Sequence, residues 1–127
     1  MKKVMLDTNA YARLMVGDET VLAALGEADT VFMSIFVLGE LLSGFRAGNR
    51  EGRNRSQLRE FLQRSTVRIL QGTEDTAEIY AGLKHQLKAA GTMLPINDVW
   101  IAAHAIESGS QLISFDSHFA SVPGLLR

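Results

Sequence analysis

Short apolar runs alternate along the chain with longer segments in which apolar residues recur every three or four positions. The runs predict four buried β-strands, at residues 4–6, 30–33, 67–70 and 111–115. The longer segments have the spacing of amphipathic α-helices. Strands that alternate with helices are typical of a parallel sheet with helices on both faces, so the pattern predicts an α/β fold.

Residue types that begin and end helices set the expected limits of the helical segments. Helices are predicted after the first strand to residue 16, and then over residues 19–25, 35–47, 54–64, 74–90 and 99–108. The expected N-terminal caps are Asp18, Ser34, Thr73 and either Asn97 or Asp98, and the expected stops are Gly26, Gly91 and Gly109.

Composition narrows the class of protein. With 127 residues, 46% of them hydrophobic and 21% charged, the chain fits one globular domain over residues 1–127. Cysteine is absent, which excludes disulfide frameworks, thiolate zinc sites and cysteine nucleophiles. No apolar run has the length of a membrane span or of a signal-peptide core. We therefore expect a cytoplasmic protein without membrane association.

Four acidic residues occupy positions that suggest a shared site. Asp7 and Asp116 each follow a predicted strand, Asp98 lies at a helix start, and Glu40 is the only charged residue between residues 31 and 45. Carboxylates that converged on one point would repel by about 4 kcal/mol per adjacent pair at an effective dielectric constant near 20. A hard divalent cation, Mg²⁺ or Mn²⁺, would turn that repulsion into binding. The chemistry implied is phosphoryl transfer with metal-activated water.

Each acid also has a purely structural interpretation. Asp7 and Asp98 are suitable helix caps, Asp116 suits a turn, and Glu40 could lie on a solvated helix edge. His118 either lines the site beside Asp116 or lies on the surface. These alternatives stay open when each residue is considered alone.

Four motifs carry a family resemblance. They are VMLDTN at residues 4–9, SIFVLGEL at 34–41, PINDVWIAA at 95–103 and LISFDSHF at 112–119. In this order and spacing they resemble PIN-domain proteins, and within that superfamily the VapC-type toxins of bacterial and archaeal toxin–antitoxin pairs. The resemblance implies a PIN-like three-layer α/β/α fold with a central, mostly parallel sheet of four to five short strands.

The resemblance also implies an activity and its residues. The expected enzyme is a Mg²⁺- or Mn²⁺-dependent endoribonuclease that cuts single-stranded RNA. Its catalytic, metal-binding acids are Asp7, Glu40, Asp98 and Asp116. Supporting roles fall to Thr8, Asn9 and Ser114, and Ser114 keeps a hydroxyl where threonine is commoner in the family. The expected partners are RNA, a cognate antitoxin that blocks the acidic pocket, and a second copy of the chain.

Arginines are concentrated in one part of the chain. Residues 46–68 contain seven arginines against Glu51 and Glu60, a local charge of about +5 in a chain whose net charge is −1. Arg55 and Arg59 are four positions apart and should project together from one helix. A ribonuclease needs positive surface to offset its own carboxylates, so we predict that this pair binds RNA. A solvated face or a contact with an acidic antitoxin is the alternative.

Two other functions fit the sequence less well. A PIN-like scaffold that binds RNA or protein without cutting would be favoured by an incomplete set of acids, and here the set is complete. A haloacid-dehalogenase-like phosphatase also has an aspartate after its first strand. That chemistry needs a second aspartate two residues later, where this chain has Asn9.

Overall fold

The computed structural model describes all residues from 1 to 127. Its four strands are β1 (Lys3–Leu6), β2 (Thr30–Ser34), β3 (Val67–Leu70) and β4 (Gln111–Ile113). Its six helices are α1 (Thr8–Met15), α2 (Glu19–Glu27), α3 (Ile35–Ala47), α4 (Glu51–Leu62), α5 (Glu74–Ala90) and α6 (Ile96–Ser108). A short 3-10 helix, Ser117–Ser121, follows β4. None of these helices combines the length and the hydropathy that crossing a membrane requires.

The strands form one parallel sheet in the order β3-β2-β1-β4. Val4, Met5 and Leu6 of β1 are all completely buried, because helices cover both faces of the sheet. This burial explains why the strand is a continuous apolar run with no polar alternation. The predicted α/β/α fold with four to five mostly parallel strands is confirmed.

Local capping chemistry fixes several helix ends as predicted. Ser34 caps α3 through a hydrogen bond from the Phe36 N–H to its hydroxyl (3.1 Å). Thr73 and Thr76 form a reciprocal capping box at the start of α5. That helix ends at Gly91, whose φ of 72° places it in the left-handed region that glycine adopts without strain.

Two predicted helix limits are wrong. Gly26 does not stop its helix, since α2 continues to Glu27 and Gly26 lacks the positive φ of a terminating glycine. Helix α4 covers Glu51–Leu62, whereas residues 54–64 were expected. Glu51 favours the earlier start because its carboxylate lies near the positive N-terminus of the helix and 3.7 Å from Arg55, one turn further on.

Two further predictions fail beside the acidic residues. The last strand ends at Ile113 and not at residue 115, because the Ser114 hydroxyl bonds to side-chain and backbone groups outside the sheet. Neither Asn97 nor Asp98 caps α6. Pro95 occupies the cap position with extended backbone angles, so Asp98 lies inside the first turn.

Helices α3, α5 and α6 are held together by a buried hydrogen bond and by a stack of half-buried aromatic rings. The Ser34 hydroxyl lies 2.7 Å from Nδ1 of His104, which joins the start of α3 to the middle of α6. Burial lowers the pKa of His104, so the ring is neutral, as expected of a core histidine. Trp100 of α6 stacks between Phe36 of α3 and Tyr80 of α5, with ring centroids 5.1 and 3.8 Å apart. These contacts fix the two helices that carry Glu40 and Asp98.

Candidate active site

The carboxyl ends of two neighbouring strands define the position of the site. Strands β1 and β4 are adjacent and parallel, so the residues that follow them lie at the same edge of the sheet. Asp7 follows β1, and its backbone N–H donates to the carbonyl of Ile113 at the end of β4 (3.3 Å). Ser114 and Asp116 come next in the chain. Three of the predicted site residues therefore meet at one edge.

Asp7 combines both roles that the sequence left open. Its Oδ1 accepts a hydrogen bond from the Ala10 N–H (2.8 Å) and so caps α1. Its Oδ2 accepts a hydrogen bond from the Ser114 hydroxyl. The side chain is buried, and two fixed donors hold its orientation. Capping and site placement are therefore compatible in this residue.

Glu40 reaches the same region from α3. Its Oε1 accepts a hydrogen bond from the hydroxyl of Thr8 (2.6 Å), one of the residues predicted to support the acids. Glu40 is half-buried and takes part in none of the ion pairs of the structure. A carboxylate in a partly dry position without a cationic partner is available to a metal ion.

Asp98, Asp116 and His118 complete the cluster. One oxygen of each carboxylate and one ring nitrogen of His118 lie within 4.8 Å of one another. His118 also donates its backbone N–H to Oδ1 of Asp116 (2.9 Å), and its Nδ1 lies 3.2 Å from the same oxygen. His118 thus satisfies both sequence alternatives, since its side chain is 62% exposed and still borders the acids.

The four acids influence one another electrostatically. Burial is the main cause that raises the pKa of Asp98 to about 6, and the charges of Asp116, Glu40 and Asp7 raise it further, while His118 acts in the opposite direction. Burial also raises the pKa of Asp7; hydrogen bonds from Ser114 and Ala10 oppose this, and Asp116 and Glu40 add to it. The charged forms of these carboxyl groups are therefore unfavourable without a counter-cation.

The donor set fits a hard divalent cation. Four carboxylates offer oxygen ligands, and the hydroxyls of Thr8 and Ser114 hold two of them in place from outside. Oxygen-rich sites of this kind favour Mg²⁺ or Mn²⁺. No thiolate is present to favour zinc, and the one imidazole beside the acids, that of His118, is mostly exposed. Asp7, Glu40, Asp98 and Asp116 are the residues that would hold the ion.

The remaining predicted residues lie outside the cluster. Asn9 is exposed and lines a neighbouring cleft, whereas the hydrogen bonds to the acids come from Thr8 and Ser114. Arg55 and Arg59 line a groove between α3 and α4 together with Leu38 and Leu42. The structure therefore separates the arginine pair from the acids.

Two residues at the edge of the site escaped the sequence interpretation. The guanidinium carbon of Arg13 lies 3.9 Å from the ring centroid of Phe115, and both side chains border the cleft that contains Asn9. A signal for them does exist in the sequence. Arg13 is one helical turn after Asn9, and Phe115 lies between Ser114 and Asp116.

The role of Glu40 can be tested by stability. We expect Glu40→Gln to leave the metal-free protein as stable as the wild type or more stable, because a repulsive charge is removed. A tenfold weaker metal Kd should remove about 1.4 kcal/mol of the stabilisation that saturating Mg²⁺ provides. Thermal melts with and without Mg²⁺ measure both effects, and Glu60→Gln on the exposed side of α4 is the matched control. A metal-independent loss of about 3–5 kcal/mol would instead indicate a buried ion pair.

Comparison with known proteins agrees with the geometry. The PIN domain family model matches residues 4–125. Ribonuclease VapC2 of Rickettsia felis is 31% identical over 127 residues, covering 96% of this chain and 93% of the relative.

Two solved structures resemble the fold over almost its whole length. One is VapBC2 from Rickettsia felis bound to a DNA fragment from their promoter, with 27% identity, coverage of 98% and 96%, and a TM-score of 0.84. The other is VapBC-5 from Mycobacterium tuberculosis, a member of the VapBC family of toxin-antitoxin systems, with 25% identity, coverage of 99% and 94%, and a TM-score of 0.73. As its four motifs predict, the chain belongs to the PIN-domain family and, within it, to the VapC-type ribonucleases.

Proposed function

We propose that this chain is an endoribonuclease that cuts single-stranded RNA with Mg²⁺ or Mn²⁺, and that it is the toxin of a type II toxin–antitoxin pair. The convergence of Asp7, Glu40, Asp98 and Asp116 is the observation that carries the proposal. Such a pocket repels RNA phosphates unless a divalent cation is bound between the carboxylates and the substrate.

The chain's own residues provide a rigid set of oxygen ligands. The Ala10 N–H and the Ser114 hydroxyl fix Asp7, and the Thr8 hydroxyl fixes Glu40. The half-buried position of Asp98 limits access of water to the carboxylates. When bound, a divalent cation supplies polarisation of a phosphate oxygen and activation of a water molecule.

Cleavage of a defined RNA tests this function. Purified protein, freed of any antitoxin, is incubated with Mg²⁺ and an end-labelled oligoribonucleotide, either alone or annealed to its complement. We expect cutting of the single strand only, with 5′-phosphate and 3′-hydroxyl ends. Binding without cutting would support the scaffold alternative, and cutting of the duplex at the same rate would contradict the strand preference.

The antitoxin is proposed to lie along the helices next to the site. Tyr11 and Met15 of α1 and Leu41 and Phe45 of α3 line an apolar groove of about 190 Å³ that α4 closes on its other side. An apolar groove between α1, which Asp7 caps, and α3, which carries Glu40, suits a helix of a partner whose basic end enters the acidic pocket. Both solved neighbours described above are VapBC proteins, which supports a partner of this kind.

A homodimer is the second proposed assembly. Helix α3 buries Val37, Leu38 and Leu41, yet its first residue, Ile35, remains 40% exposed and Phe36 is only half-buried. Apolar surface on a helix with a well-buried opposite side favours a contact with a second chain. We expect light scattering at tens of micromolar to give twice the chain mass of 13.9 kDa. A monomer mass at that concentration would contradict the dimer.

Arg55 and Arg59 are proposed to hold RNA at a distance from the cut. They line a groove together with Leu38 and Leu42 of α3. Each of these leucines is two positions from Glu40, or about 200° around the helix, so the groove is on the side of α3 that faces away from Glu40. Replacing both arginines with Gln should weaken binding of all RNA sequences alike and make the salt slope shallower by ~1–2, with an unchanged cleavage rate at saturating RNA. Unchanged affinity and slope would assign the pair to the antitoxin or to solvent.

A further inference from the structure

We propose that Asn9, Arg13 and Phe115 form a subsite that holds a nucleotide of single-stranded RNA next to the scissile phosphate. The inference rests on the proposed ribonuclease function and identifies three residues that would contact its RNA substrate. The three side chains, with Ala12 and Val16, line an open cleft of about 540 Å³. This volume lies within the range of sites that bind small molecules or single nucleotides.

The residues that line the cleft are close neighbours of the acids along the chain. Asn9 and Arg13 belong to α1, the helix that Asp7 caps. Phe115 comes between Ser114, which donates its hydroxyl to Asp7, and Asp116. A strand bound with one phosphate at the acids would therefore place an adjacent nucleotide at this cleft.

Arg13 is held in a position suited to a phosphate or a base. Its guanidinium lies over the Phe115 ring, and Nη1 is 3.6 Å from Oδ2 of Asp18, whose other oxygen caps α2. The Arg13 side chain nevertheless remains 51% exposed. Since a guanidinium has five N–H donors, contacts with one ring and one carboxylate oxygen leave donors for a further acceptor.

Phe115 is a large apolar side chain that remains partly exposed to solvent. It is 41% exposed, although the residues on either side are fixed to the site by hydrogen bonds. Unpaired RNA bases stack on aromatic rings and on arginine planes, whereas bases in a duplex are already stacked. An exposed ring with a guanidinium at its face therefore matches single-stranded RNA.

Charge complementarity also favours RNA as the occupant. The acids of the site repel the phosphates that flank the cut, and a cation at the edge of the pocket offsets this repulsion locally. Asn9 adds an amide that can donate to and accept from a base edge. The cleft thus offers a charge for the phosphate, a surface for the base and an amide for its edge.

Four variants test the subsite: Arg13→Gln, Phe115→Leu, Phe115→Tyr and, as a matched control, Arg53→Gln on exposed α4. Two measurements are made with a fluorescein-labelled single-stranded oligoribonucleotide of about 12 nucleotides. The first is its Kd, by anisotropy at several salt concentrations, with Ca²⁺ as the hard divalent cation in place of Mg²⁺. The second is the single-turnover cleavage rate in Mg²⁺, measured at increasing protein concentration. It gives the half-saturating protein concentration, which reports binding, and the maximal rate, which reports cleavage. Thermal melts check that each variant is folded.

We expect Arg13→Gln and Phe115→Leu to raise the Kd and the half-saturating concentration about five- to tenfold, with the maximal rate unchanged. Arg13→Gln should also make the salt slope shallower by about 0.7, as expected for one phosphate contact, and Phe115→Leu should not. Phe115→Tyr keeps the ring and should behave like the wild type, as should Arg53→Gln.

The outcomes separate the subsite from the ribonuclease function. If the wild type cuts RNA but neither variant changes the Kd or the half-saturating concentration, the subsite is refuted and the ribonuclease function stands. If the wild type binds RNA with the expected variant effects but does not cut, the ribonuclease function is refuted and the cleft stands as a site that binds single-stranded RNA. Variants that weaken binding of an antitoxin and not of RNA would assign the cleft to a protein partner, which also overturns the proposal.

Discussion

Asp98→Asn is expected to reduce RNA cleavage by about 100-fold or more, while the metal-free protein stays folded and becomes more stable. Loss of a residue that only supports a metal ligand typically costs 10- to 100-fold in activity, and Asp98 is proposed as a ligand itself. The amide has nearly the same shape and carries no charge. The variant therefore removes one ligand and one source of repulsion together.

The pH dependence of stability gives this prediction a second measurement. The folded pKa of Asp98, about 6, is above the ordinary value of 3.8, so the folded state holds the proton more strongly than the unfolded state. Stability of the metal-free wild type should therefore rise as the pH falls through about 6 towards 4, and Asp98→Asn should lack this contribution. Melts in EDTA across that range measure it.

A control and a contrary result define the role of Asp98. Asp75→Asn makes the same chemical change in the first turn of α5, at an exposed position, and should cut RNA at the native rate. If Asp98→Asn also cuts at the native rate, Asp98 is only a first-turn acid that favours the helix N-terminus.

Removal of divalent cations is expected to abolish cleavage, and Mg²⁺ or Mn²⁺ should restore it. Two adjacent charged carboxylates repel each other by about 4 kcal/mol at an effective dielectric constant near 20. The acids would repel an RNA phosphate in the same way, so the phosphate should not bind there without a counter-cation. The same ion should raise the melting temperature, because it binds the folded state only.

Parallel titrations of cleavage rate and melting temperature with Mg²⁺, after treatment with EDTA, test this expectation. Both should depend on the same metal concentration in the wild type, and Asp98→Asn should shift the thermal response to higher concentration. Cleavage that continues undiminished in excess EDTA would refute a metal-dependent mechanism.

The features predicted correctly from the sequence depend on local chemistry. The cap of α3 by Ser34 and the capping box of α5 need only residues two or three positions apart. The errors arise where local preferences compete with packing. Pro95 takes the cap position expected for Asn97 or Asp98, and Ser114 leaves the sheet to bond with Asp7.

The candidate site was only partly predictable for a related reason. The positions of the acids relative to strands and helices can be inferred from hydrophobic periodicity. The Ser34–His104 hydrogen bond joins residues 70 positions apart, and nothing in either local sequence indicates the other. The stacking of Arg13 on Phe115 likewise depends on how α1 lies beside the segment after β4.

The pairing of β1 with β4 has a consequence for synthesis of the chain. Ser114 and Asp7 are 107 residues apart, so at typical translation speeds roughly 5–20 s pass between their incorporation. During that time Asp7 lacks the hydroxyl that orients it, and β1 lacks a neighbour on one side. A nascent chain on the ribosome, or one released early by a stop codon, cannot assemble the pocket. The pocket can therefore become competent only after residues 114–116 have been synthesised.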